Sequence, residues 1–62
     1  MTAGYVLVLI ACLNGTCERH VVARGLTATA CMASSQIEAA RWVGDHPEWR
    51  ISMVRCELGD AT

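Results

Sequence analysis

The residues of this chain that could do chemistry are four cysteines, Cys12, Cys17, Cys31 and Cys56, and two histidines, His20 and His46. A thiol can act as a nucleophile, a metal ligand or half of a disulfide. A nucleophile needs an electropositive, partly open pocket and a base oriented by a third group. No third group is identifiable beside either histidine. Zinc needs four ligands in one tetrahedron. The candidate sets are the four cysteines, or three of them with His20, yet the chain has no Cys-x-x-Cys. In an oxidising compartment four cysteines read as two disulfides with three possible pairings. In a reducing one they read as buried thiols or a metal site. His46, just before Pro47, suits a helix C-terminus, where an imidazolium complements the dipole.

Choosing among these roles requires the elements that position the cysteines. Sixty-two residues form a single small domain, 1–62. Chains below about 70–80 residues often need disulfides, a metal or a partner. A composition of 53% hydrophobic and 18% charged residues argues against disorder. It is also more apolar than so small a core absorbs, which leaves apolar surface for a partner. A net charge of −1, from five arginines and six acids, offers no grip on nucleic acid. No apolar run approaches the ~20 residues of a membrane span.

The segment YVLVLIAC, Tyr5 to Cys12, resembles a lipoprotein signal ending in Leu9-Ile10-Ala11-Cys12. A signal has a charged start, and Met1 to Gly4 carry no Lys or Arg. The continuous Val/Leu/Ile run reads better as a strand covered on both faces. Asn14-Gly15 then predicts a two-residue hairpin turn, since both residues tolerate positive φ. The second strand is Thr16 to Arg24. The turn fixes the register: Leu13 faces Thr16, Cys12 faces Cys17, Ile10 faces Arg19, Leu9 faces His20 and Val8 faces Val21. Continuing, Leu7 faces Val22 and Tyr5 faces Arg24.

Gly25-Leu26 breaks the strand, and Thr27 or Thr29 can cap a helix. The helix runs to about His46, with Cys31, Ser35, Ala39, Trp42 and Val43 on one stripe, and Pro47 stops it. Arg50 to Glu57 forms a third strand. The expected fold is α+β: ββαβ, a three-stranded antiparallel sheet in order 2-1-3 with one helix packed on one face. Lengths then decide the cysteine pairing. The helix rises about 22 Å from Cys31 to His46, and the strand returns about 23 Å from Trp49 to Cys56. Cys56 therefore ends beside Cys31, while Cys12 and Cys17 meet at the other end. The expected bonds are Cys12–Cys17 and Cys31–Cys56.

If Cys56 points at the helix, so do Val54 and Ser52, and the hairpin face carrying Cys12 and Cys17 brings Ile10, Val8, Val6, Val21 and Ala23 to the core. The opposite face becomes the expected partner-binding surface: Tyr5, Leu7, Leu9, His20, Val22, Arg24, Ile51, Met53 and Arg55. An apolar centre with a charged rim is the composition of an interface. Trp42 is expected in the core. Trp49 either caps the core edge or anchors a partner.

The whole chain resembles a set of very short uncharacterised proteins of proteobacterial and prophage genomes. The resemblance rests on YVLVLIAC, Gly15-Thr16-Cys17, Cys31, the run AARWVGDHPEWR (Ala39 to Arg50) and the closing Arg55-Cys56. No activity is known for that group, so the resemblance implies no catalytic residue. It does imply a phage accessory protein, including the small inhibitors of host defence of the anti-CRISPR type. The charge balance lacks the strong negative charge of a DNA mimic, so such an inhibitor would dock on a protein.

The expected function is therefore a small non-enzymatic protein-binding module without a cofactor or metal. Its partner is another protein or a second copy, and its location is cytoplasmic, or periplasmic or secreted if the cysteines are oxidised. The alternatives are a disulfide-stabilised secreted or periplasmic protein and a small metal-binding module.

Overall fold

A computed structural model of the chain describes residues 4–59. Four elements follow one another: β1 (Tyr5–Leu13), β2 (Thr16–Leu26), α1 (Ala28–Asp45) and β3 (Arg50–Leu58). The strands form one antiparallel sheet in order β2-β1-β3, with α1 on one face. This is the α+β arrangement expected from the sequence.

The hairpin follows from its turn. Asn14 and Gly15 take φ of 53° and 84°, the left-handed pair that matches the strand twist. From there the pairing runs as expected through Cys12–Cys17, Ile10–Arg19, Leu9–His20 and Val8–Val21. It then departs. Leu7 faces Ala23 rather than Val22, and Tyr5 faces Leu26 rather than Arg24. Each shift inserts an extra residue into β2, and the second includes Gly25 at φ 67°. A glycine in this conformation forms a β-bulge without steric cost. Gly25 thus bends the strand rather than ending it, and β2 continues to Leu26.

Thr27 caps α1: its Oγ1 accepts a hydrogen bond of 3.0 Å from the Ala30 N–H, satisfying one of the helix's free donors. His46 ends the helix just before Pro47. The chain returns as β3, where Leu7 faces Cys56 and Leu9 faces Val54. A further bulge leaves Ser52 without a counterpart, so Ala11 faces Ile51 and Cys12 faces Arg50.

Both disulfides join the expected cysteines, Cys12–Cys17 and Cys31–Cys56. The second ties α1 to β3, with Cys31 fully buried. It also fixes which sheet face meets the helix. Residues directly opposite in a sheet share a face. Leu7 and Leu9 therefore point to the helix with Cys56 and Val54. Both leucines and Ala11 are 0% exposed.

The expected faces of β1 are thus reversed, while Val54 and Cys56 of β3 point to the helix as expected. Even-numbered Val6, Val8, Ile10 and Cys12 lie on the helix-free side. Pairing within the β1–β2 hairpin is fixed by a turn, but no turn joins β1 to β3. The parity of Cys56 relative to β1 is therefore set by packing. The two fully buried leucines are larger than Val6 or Val8 and fill more of the space under the helix.

Candidate functional site

The expected partner surface divides between the two faces. Leu7 and Leu9 are sealed in the core, and Tyr5 and Ile51 are half-buried. His20 and Val22 turn toward the helix and line a groove there. Arg24 is exposed at the bulged end of β2. Only Met53 and Arg55 belong to the helix-free face, where Met53 faces Ile10 and Arg55 faces Val8.

That helix-free face carries Val6, Val8 and Ile10 along its centre, flanked by Val21 on β2 and Met53 on β3. Met53 is 49% exposed. A charged network crosses it. Arg19 Nη2 on β2 donates to Glu57 Oε1 on β3 at 2.6 Å. Arg55 Nε stands 3.1 Å from the other carboxylate oxygen. Arg19 sits at the register of Ile10 and Glu57 at that of Val6, so their bond passes over Val8 between them. Val8 is accordingly 0% exposed on a face with no second layer. Arginine stems commonly cover apolar surface while their heads stay wet. The Arg19 hydrogen bond chiefly holds the Glu57 carboxyl below its ordinary 4.5, against partial desolvation, with further attraction from the Arg19 and Arg55 charges.

A second constellation lies between β2 and the C-terminal half of α1. Trp42 stacks on His46 at 4.1 Å between ring centres and meets Trp49 edge-on at 5.9 Å. His20 lies 5.1 Å from Trp42 and 5.6 Å from Trp49. Trp42 and His46 are one helical turn apart, which sets their stack. His46 Nδ1 donates to the Trp42 carbonyl at 2.9 Å, since a carbonyl only accepts. Trp49, half-buried in this cluster, caps the core edge.

His20 Nε2 is 3.3 Å from Glu18 Oε1 but meets no hydrogen-bond geometry and is shielded from solvent. Beside it a groove of about 300 Å³ opens, walled by Trp42, Glu38, Arg41 and Asp45. Glu38 and Arg41 pair at 3.4 Å along its helical wall. The nearby hydroxyls serve the helix: Ser34 donates to the Ala30 carbonyl and Ser35 to that of Met32.

Among the described residues no three His, Cys, Asp or Glu side chains are placed to hold a metal ion. No helix of the described residues is long and apolar enough to cross a membrane. The two disulfides are compatible with an oxidising compartment.

Sequence reasoning missed the Glu57 clamp and the His20–Trp42–His46–Trp49 cluster. The Trp42–His46 spacing was a usable signal for the second. The first was hidden because Arg19 and Glu57 meet only once the β1–β3 register is known. Comparison with protein families, with curated proteins and with solved structures finds no match in any of the three.

Proposed function

We propose that this chain is a small non-enzymatic protein-binding module that docks through the helix-free face of its sheet. The observation that carries this reading is the apolar strip of half-buried Val6, Ile10 and Val21 and exposed Met53, beside the Arg19–Glu57–Arg55 network. An apolar centre with charged groups around it is how interfaces are composed.

Charge decides between kinds of partner. Arg19, Arg50 and Arg55 belong to this face against the single acid Glu57, in a chain whose net charge is −1. Two copies face to face would set arginines against arginines, which is unfavourable in an interface. A partner with an apolar patch and an acidic rim fits better than a second copy. The few arginines fall short of the ~6–10 phosphate contacts typical of strong nucleic-acid binders. The resemblance to short prophage proteins makes an accessory inhibitor of the anti-CRISPR type the leading candidate within this class. The second reading, a disulfide-stabilised secreted or periplasmic protein, is favoured by the pairing of all four cysteines.

The test compares the wild type with the double variant Ile10→Glu, Met53→Glu as bait in a host extract, with sedimentation to detect self-association. A saturable partner lost in the variant, with unchanged circular dichroism, supports the reading. Equal capture by both proteins sinks it.

A further inference from the structure

We propose that the Cys12–Cys17 bridge is a thiol-exchange site that a small-molecule thiol opens and closes independently of Cys31–Cys56. The two bridges differ in access. Cys31 is fully buried and Cys56 half-buried under the helix. Cys17 is exposed on an edge strand next to the hairpin turn, and Cys12 is half-buried beside it. Thiol–disulfide exchange needs a path for the attacking sulfur, and Cys17 offers one.

The surroundings also set the direction of attack. Arg50 faces Cys12 across β3, whereas the Arg19 guanidinium is held by Glu57. A guanidinium stabilises a neighbouring thiolate, and a stabilised thiolate leaves faster. An incoming thiolate therefore attacks Sγ of exposed Cys17. The S–S bond breaks, its electron pair passes to Cys12 Sγ, and a mixed disulfide forms on Cys17. A second thiolate attacks the outer sulfur of that mixed disulfide, releasing the oxidised small thiol and the Cys17 thiolate. The balance is two thiols oxidised, one bridge reduced to two cysteines, and two protons passed from the thiols to the cysteines.

The fold does not depend on this bridge for its register. Asn14 and Gly15 already close the hairpin in their left-handed conformation, and the two cysteines are only five positions apart. Reduction leaves the sulfurs facing one another, so closure is reversible.

The test exposes the oxidised protein to graded reduced glutathione, traps free thiols with N-ethylmaleimide and maps the labelled peptides by mass spectrometry. Cys12 and Cys17 are expected to label about tenfold faster than Cys31 and Cys56, with circular dichroism unchanged, and to re-form their bridge on adding oxidised glutathione. Opening of both bridges together, opening of Cys31–Cys56 first, or loss of structure on opening Cys12–Cys17 overturns the proposal. Arg50→Gln is expected to slow the opening about two- to threefold. An unchanged rate removes Arg50 from the site.

Discussion

Arg19 on β2 reaches across the central strand to donate a 2.6 Å hydrogen bond to Glu57 on β3. Two outer strands that never pair are thereby joined over Val8. The contact gives an open sheet face a covered centre with only two side chains, and Arg55 holds the second carboxylate oxygen.

This clamp makes stability depend on pH in a definite direction. Arg19 keeps the folded-state value of Glu57 below its ordinary 4.5, so folding favours the ionised carboxylate. The contribution is complete above the ordinary glutamate range and is lost as pH falls through the depressed folded value. Thermal unfolding followed from neutral to acid pH should show a falling midpoint in that window. Glu57→Gln should lower the midpoint at neutral pH and flatten the acid slope. An acid slope identical in the variant would show that other carboxyls cause it.

The reversed faces give a sharper contrast. Leu9 is 0% exposed beneath the helix, whereas Met53 is 49% exposed on the other side. Leu9→Ala should cost about 2–5 kcal/mol by removing buried contacts and leaving a cavity, enough to unfold much of a domain this small. Met53→Ala should stay within about 0.5 kcal/mol. Urea titrations of the two variants measure both values, and equal losses would contradict the assignment of faces.

Much of this fold was legible because local chemistry dictates it. Asn14-Gly15 sets the hairpin pairing as far as Val8–Val21, Thr27 starts the helix, and the lengths of α1 and β3 bring Cys31 to Cys56. The site was not legible, for reasons that are equally physical. The bulges at Val22 and Gly25 change which residues of β2 oppose β1, and the one at Ser52 does the same on β3. A strand's side chains alternate, so a one-residue uncertainty moves a whole set to the other face. The expected partner surface included Leu7 and Leu9, which are core residues, because no turn fixes the parity of Cys56 against β1.

The disulfides should contribute unequally to stability. Cys31–Cys56 closes a separation of 25 residues and Cys12–Cys17 one of 5. The chain-entropy model assigns about 3.5 kcal/mol to the longer loop and about 2 kcal/mol to the shorter. The hairpin turn already restricts the shorter loop, which lowers its share. Paired Cys→Ser variants of each bridge, unfolded in denaturant, test the order. A larger loss from the Cys12–Cys17 pair would mean that the turn alone does not hold the hairpin.

Trp42 is the residue through which the C-terminal half of the helix meets the rest of the molecule. It contacts His46 by stacking, Trp49 edge-on and His20 across the β2 boundary, while neighbouring Val43 is 36% exposed. The inward stripe of α1 otherwise offers small side chains, such as Ser35 and Ala39, that bury little area. Trp42→Ala should therefore cost about 3 kcal/mol, the low end for tryptophan because the ring is half-buried. Val43→Ala should cost less than about 1 kcal/mol. Near-ultraviolet circular dichroism should lose the coupled aromatic signal in the first variant and keep it in the second. If Trp42→Ala proves as mild as Val43→Ala, the helix is held by Cys31–Cys56 and its packing on Leu7 and Leu9, and the aromatic cluster is free to serve a ligand in the adjoining groove.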